Sequence, residues 1–294
     1  MDTIPAKNML TRTKNNFWFG TDYNMNIYRG CSHGCIYCDS RSDCYGIDDF
    51  DQVRAKENAL AILADNLRRK TLKGVVGTGA MSDPYNPQEQ KQQLTRQALE
   101  LFKSYGYGVA IATKSPLVTR DKDLLAAIQK RSPVIVKITI TCADDDLAKI
   151  IEPQVAPSSA RFAAIKELAE CGIFAGVLLM PILPFINDTP ANIKGIVAAA
   201  AEQGAQFIYP AFGVTLRDSQ RLYFYDQLDT HFPDIKKEYL RSCGNSYSCA
   251  SPQARSLWTT FTRECQRQGL LYKMADIVSR YKLEHGSQQL SFLL

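Results

Sequence analysis

Apolar, β-branched stretches alternate with amphipathic ones through most of the chain, and no other feature restricts the fold as much. The strand-like stretches are NMNIYRG (24–30), KGVVGTG (73–79), GVAIATK (108–114), VIVKITIT (134–141), FAGVLLMPI (174–182) and QFIYPAF (206–212). Between them lie helical patterns such as DFDQVRAKENALAILADNLRR and SSARFAAIKELAECG, the second closed by Gly172 as a helix C-terminal signal. Strands that take turns with helices predict a parallel sheet, open and doubly wound or rolled into a barrel. No Gly-x-Gly-x-x-Gly follows the first strand, which counts against a dinucleotide fold. The expectation is therefore an α/β chain: an incomplete (β/α)6 TIM-like barrel over residues 1–215. A helical, aromatic C-terminal extension over 216–294 then covers the open edge or the mouth.

The chain has 294 residues, 45% of them apolar, enough to fill such a core. A net charge of +5 permits an anionic partner without requiring one. The start, MDTIPAKNML, lacks a basic segment followed by an apolar core, and the longest apolar run, GIFAGVLLMPILPFI, is short and interrupted by Pro181 and Pro184. These features predict a soluble, cytoplasmic protein with no membrane partner, expected to be a monomer. In a reducing compartment the nine cysteines are expected to stay unpaired, which moves clustered ones toward metal binding.

One cluster stands out. Residues 30–38 read GCSHGCIYC, with Cys31, Cys35 and Cys38 in a single loop after the first strand. The C-terminal ends of strands are where barrels place their chemistry. Three sulfurs from one short loop wrap one face of a compact cluster and leave a fourth metal position without a protein ligand from the loop. Other readings stay open: a structural zinc site completed by Cys44 or His33, or a nucleophilic cysteine.

CSHGCIYC resembles the Cys-x3-Cys-x2-Cys motif of the radical S-adenosylmethionine (SAM) enzymes, with the aromatic Tyr37 before the third cysteine. The resemblance implies a [4Fe-4S] cluster on Cys31, Cys35 and Cys38, with SAM chelating the fourth iron. It also implies reductive cleavage of SAM to a 5′-deoxyadenosyl radical that abstracts hydrogen, fed by a reductant such as flavodoxin or ferredoxin. GTGAMSDPYNPQEQ, IATKSPLVTRD, ITITCADDD, IEPQVAPSSARFAAIKEL and PILPFIND look like the successive strand-end motifs of the spore photoproduct lyase-like branch, often labelled DNA repair photolyase-like. That match covers roughly residues 17–210 and thins out in the extension.

Carried across residue by residue, the resemblance assigns Ser82 to the amino group of SAM, with Gly79 allowing close backbone approach, and Lys114 to its carboxylate. Thr139 and Thr141 face alike on the fourth strand, and either can take the place of a cofactor-binding serine. Arg161 falls near the carboxylate or ribose, and Asn187 with Asp188 near the ribose hydroxyls; a surface helix residue and an Asx turn before Pro190 are the plain alternatives. Spore photoproduct lyases carry a hydrogen-donating cysteine two residues before that serine, where this chain has Ala80. The candidate donors in its place are Cys142, Cys44 and Tyr85, while Cys171 reads as a packed residue. Cys243, Cys249 and Cys265 match no trusted metal spacing and leave open a second cluster or unremarkable thiols. The implied substrate is a nucleic-acid base, with aromatics such as Trp258 and Tyr272 available for stacking. A peptide or small molecule is the enzymatic alternative, and a metal-stabilised nucleic-acid-binding module the non-enzymatic one.

Overall fold

The structure, a computed structural model, describes residues 2–283 and 285. Its centre is a mostly parallel seven-stranded sheet. The strands are β1 (Thr11–Arg12), β2 (Tyr23–Met25), β3 (Val75–Thr78), β4 (Gly108–Thr113), β5 (Val134–Thr139), β6 (Ala175–Leu179) and β7 (Phe207–Pro210). They lie in the order β7-β6-β5-β4-β3-β2-β1, and only the β1–β2 pairing is antiparallel. Each strand from β2 to β7 pairs with the next in sequence, for example Thr78 opposite Ile111 and Thr139 opposite Leu178.

The crossover helices are α1 (Ala59–Arg69), α2 (Leu94–Tyr105), α3 (Lys122–Gln129), α4 (Asp145–Ile151), α5 (Ser158–Glu170) and α6 (Pro190–Glu202). Leu63, Phe102, Leu125, Ile165 and Ile196, from five of these helices, pack with Val76, Val109, Val136, Val177 and Ile208 on one face of the sheet. Alternation sends Ala110, Ile135, Leu178 and Phe207 to the other face. A doubly wound sheet carries crossover helices on both faces; here the crossover helices named pack on one face, and a C-terminal helix reaches the other. No closed barrel forms among the described residues: β7 and β1 are the two ends of the sheet. Gly172, at φ +72°, follows the end of α5, as its position in the sequence predicts.

The first strand is shorter than 24–30. After Met25 the chain leaves the sheet, and Tyr28–Arg29 pairs instead with Arg54–Lys56. Gly30 makes the turn at φ +78°, with its Cα so close to the Gln52 carbonyl that a Cβ would stand 2.3 Å from that oxygen.

After β8 (Gly213–Thr215), the extension holds α7 (Asp218–His231), α8 (Ile235–Cys243), β9 (Ser248–Ala250), α9 (Ala254–Gln268) and α10 (Met274–Lys282). It is not purely helical, because β8 and β9 form an antiparallel pair. Leu257 and Phe261 of α9 join the helix-side core. Met274, Ile277 and Tyr281 of α10 pack with Phe19 against the first residues of the strands, Val75, Ile135 and Phe207. The extension thus closes the end of the sheet opposite the strand C-termini, while β8 and β9 form a wall at the C-terminal end. The end of the expected 216–294 unit lies outside the described residues. No helix among them is long and apolar enough to cross a membrane.

Candidate active site

The cysteine loop is fastened by its backbone. Cys31 N–H donates to Phe50 O (2.7 Å), Ile36 N–H to Ile151 O (3.0 Å), and Gln154 N–H to His33 O (3.1 Å). The loop is thereby held beside α4 and over the C-terminal ends of β3, β4 and β5. There Cys31, Cys35 and Cys38 line a cavity of about 290 Å³ together with Trp18, Gly79, Ala80, Ser82, Lys114 and Thr139. A larger cavity, about 490 Å³, shares Cys38, Ser40, Ala80 and Lys114 with it and is walled on the far side by β8 and β9.

Gly79 follows β3 at φ +93°, and a Cβ there would lie 1.9 Å from the Ala112 carbonyl oxygen, so no other residue fits. Ser82 is buried and donates through Oγ to Gly30 O (2.6 Å), tying the β3 turn to the start of the cysteine loop. Asp83 is the knot of the site. Its carboxylate accepts from Tyr85 N–H (2.8 Å), Thr113 Oγ1 (2.6 Å) and Lys114 N–H (2.7 Å), and lies 3.6 Å from His33 Nδ1. Its only sequence signal is its place beside Ser82, in a segment that also reads as a plain turn.

Lys114 extends from the end of β4 into both cavities, and its ammonium has no hydrogen-bonding or ion-pairing side chain among the described residues. Burial opposes the charge, but the Cys35 and Cys38 sulfurs with Glu152 and Asp83 outweigh it and hold the lysine above its ordinary pKa. Burial pushes the Cys35 and Cys38 thiols up, with Lys114 pulling against it. The site therefore presents three unpaired thiols and one ammonium without a hydrogen-bonding or ion-pairing side chain, 5.7 Å from the Tyr37 ring centroid, around one space.

The remaining predicted residues serve this space from behind or stand apart. Tyr37 lines the larger cavity and donates its hydroxyl to Glu152, whose other oxygen pairs with Arg161 Nη1 at 2.7 Å. Arg161 also donates to Thr139 O (2.7 Å) and is 1% exposed, so it is a buried counter-ion that lines neither cavity and is not on the surface. Thr141 and Asn187 are structural partners, Asn187 Nδ2 donating to Thr141 O (2.9 Å) and its Oδ1 accepting from Leu183 N–H (2.6 Å). Asp188 accepts from Ser251 Oγ (2.6 Å). Cys142 is buried against Asn187 Nδ2 (3.4 Å), with burial raising its thiol to about 11. Tyr85 is buried 5.9 Å from the Arg120 guanidinium, and Cys44 is exposed beside Ser42 Oγ (3.4 Å). None of Cys44, Tyr85 and Cys142 lines either cavity.

His33 lines the same cavity as the three cysteines and lies 3.6 Å from Asp83, Cys44 faces outward, and no three metal-ligating side chains are preassembled around a single ion among the described residues. A compact cluster asks something different, one thiolate for each of several irons, and three soft thiols around one cavity fit that. Two cysteine expectations are corrected. Against the expectation that all nine cysteines stay unpaired, Cys243 and Cys249, brought together where α8 runs into the β8–β9 wall, form a disulfide, which also removes them from any second metal site with Cys265, buried on α9. Cys171 is exposed at the end of α5, where the helix C-terminus leaves nothing to cover it.

An α/β sheet with its crossover helices on one face thus carries a cysteine-lined cavity at its strand C-termini. The sequence model of the Radical SAM superfamily matches residues 25–193, and the chain belongs to that superfamily of enzymes; its fold is similar to that of spore photoproduct lyase. An uncharacterized protein of Mycobacterium tuberculosis is 30% identical over 243 residues, covering 80% of this chain and 71% of its own. An uncharacterized protein of Methanocaldococcus jannaschii is 36% identical over 172 residues, or 58% and 63% of the two chains. Among solved structures, a spore photoproduct lyase mutant with bound AdoMet and dinucleoside spore photoproduct superposes with a TM-score of 0.64 at 15% identity, covering 90% of this chain and 79% of that one. A radical S-adenosylmethionine methyltransferase from Kitasatospora setae gives 0.54 at 12% identity over 83% and 51% of the two chains.

Proposed function

We propose that this enzyme binds a [4Fe-4S] cluster through Cys31, Cys35 and Cys38, binds SAM beside it, and abstracts hydrogen from a nucleic-acid base. When bound, the pair supplies reductive cleavage of SAM to a 5′-deoxyadenosyl radical. The observation that carries the reading is the shared cavity: three free thiols face an unpartnered lysine ammonium across a space that opens past Ala80 into a larger chamber.

In this reading the ammonium of Lys114 pairs with the cofactor's carboxylate, which supplies the partner the fold leaves out. Ser82 Oγ, already donating to Gly30 O, keeps its lone pairs for the cofactor's amino group. Thr139 faces the same space, and Gly79 lets the backbone come close. Asp83 orients the Lys114 backbone and the His33 side chain, while Arg161 and Glu152 hold Tyr37 in place. The larger chamber, lined by Met180, Phe212 and Val214 together with Ser40 and Thr215, opens to solvent and is the space left for the substrate base. The six consecutive parallel strands are read as an open barrel, residues 1–215 as the cofactor-binding unit, and a flavodoxin or ferredoxin as the electron source.

Reconstituted enzyme is incubated with SAM, dithionite and a short oligonucleotide deuterated on its bases. The reading predicts deuterium in the recovered 5′-deoxyadenosine. Label arriving from a deuterated peptide pool and never from the oligonucleotide overturns the base assignment.

A further inference from the structure

The Cys243–Cys249 disulfide has no part in the reading above, yet Cys249 belongs to the wall of the larger cavity together with Ala80 and Lys114. We infer that Cys243 and Cys249 are a reversible dithiol–disulfide couple, a thiol-exchange site set in the cavity wall and served from outside by a small or protein thiol.

The two sulfurs are unequally placed. Cys243 ends α8 half-exposed, whereas Cys249 lies on β9 opposite Val214 and is 1% exposed. Only Cys243 is open to an attacking thiolate, and Cys249 is the leaving group. The segment joining them is held without the disulfide. Arg221 donates to the carbonyls of Gly244 (2.8 Å), Asn245 (3.1 Å) and Ser246 (2.7 Å), and Leu216 N–H donates to Tyr247 O (2.7 Å). With the bond open, the two thiols therefore stay neighbours, their Cα atoms 5.4 Å apart in the closed form. A bond across so short a loop removes less entropy from the unfolded chain than one across a long loop would, which makes it a weak choice of staple. The chain's other seven cysteines are unpaired, three of them in the cofactor cavity where thiolates are needed. A protein that keeps those thiols free works in reducing surroundings, where a persistent disulfide is a working one.

The exchange balances as follows. A reductant thiolate attacks Cys243 Sγ, the S–S bond breaks, and Cys249 departs as a thiolate that takes a proton. A second thiol, from the same dithiol reductant or from another molecule of a monothiol such as glutathione, then displaces Cys243 from the mixed disulfide, which returns Cys243 as a thiol and leaves the two reductant thiols oxidised to one disulfide.

The sequence supplies a clean readout, since cleavage after Arg241 and Arg255 puts both cysteines in one peptide, SCGNSYSCASPQAR, apart from the cluster cysteines in GCSHGCIYCDSR. Folded full-length protein is equilibrated anaerobically in graded ratios of reduced to oxidised glutathione, quenched in acid, alkylated and mapped by mass. The expected result is a reversible passage of that peptide between doubly alkylated and disulfide forms. Cys243→Ser abolishes the disulfide form and leaves Cys249 unmodified by glutathione. Arg221→Ala, which loosens the loop, shifts the half-oxidation ratio toward the dithiol by roughly tenfold, the scale of freeing one residue's backbone. A bond that resists reduction until the protein unfolds, or thiols that oxidised glutathione never joins, overturns the proposal.

Discussion

Replacing Arg161 with methionine separates two roles for this residue. The guanidinium is 1% exposed, pairs with Glu152 at 2.7 Å and donates to Thr139 O at 2.7 Å. Removing it leaves Glu152, itself fully enclosed, as a buried carboxylate whose remaining side-chain partner is the Tyr37 hydroxyl. Breaking a buried pair in this way costs about 3–5 kcal/mol. At about 2–4 °C per kcal/mol for a chain this large, the melting temperature of the apo protein falls by roughly 10 °C. Glu152→Gln together with Arg161→Met removes the stranded charge and recovers most of the loss, because two neutral groups of similar shape replace the pair. Differential scanning calorimetry on the wild type, both single variants and the double variant closes the cycle. A double variant no more stable than Arg161→Met alone refutes the counter-ion argument.

Other consequences follow from single positions. Lys114→Ala removes the unpartnered cation and weakens SAM binding to the reconstituted protein by about 10- to 100-fold, the scale of one charge-assisted hydrogen bond, measured by titration calorimetry. Gly79→Ala forces a Cβ against Ala112 O and prevents stable folding, read as loss of the cooperative thermal transition. Lys137, on the inner face of β5 and 4.6 Å from the Phe19 ring centroid, has its pKa lowered to about 7 by burial. The unfolded chain then binds more protons than the fold between about pH 7 and the ordinary lysine value, so stability rises with pH across that window. Lys137→Met flattens that rise in denaturant titrations at graded pH, and an unchanged slope counts against a neutral lysine.

The six parallel strands were legible because both faces are covered and their apolar runs are nearly continuous, as in VIVKITIT. Their ends were less so: periodicity cannot show that the chain leaves the sheet after Met25, since Tyr28 and Arg29 are equally at home in a second, smaller sheet. Cys31, Cys35, Cys38, Ser82 and Lys114 were placed around one space because each follows a strand, and strand ends converge. Arg161, assigned from the helix start IEPQVAPSS, and Asn187, assigned from PILPFIND, spend their polar atoms on Glu152 and on backbone carbonyls, which the local sequence does not reveal. Asp83, Glu152 and Trp18 were missed, because a buried carboxylate that locks a turn or a tyrosine has the same local signature as an exposed one. The Cys243–Cys249 bond was hidden by composition, which speaks for free thiols in general and says nothing of two that a hairpin brings together.

The central claim is that the three loop cysteines carry a cluster that reductively cleaves SAM. It is tested most directly by quantifying 5′-deoxyadenosine from anaerobically reconstituted protein with dithionite and SAM, against a Cys35→Ala control. The account predicts a brown wild-type protein that forms the nucleoside and a colourless variant that does not. A colourless, zinc-containing wild type that forms none contradicts it.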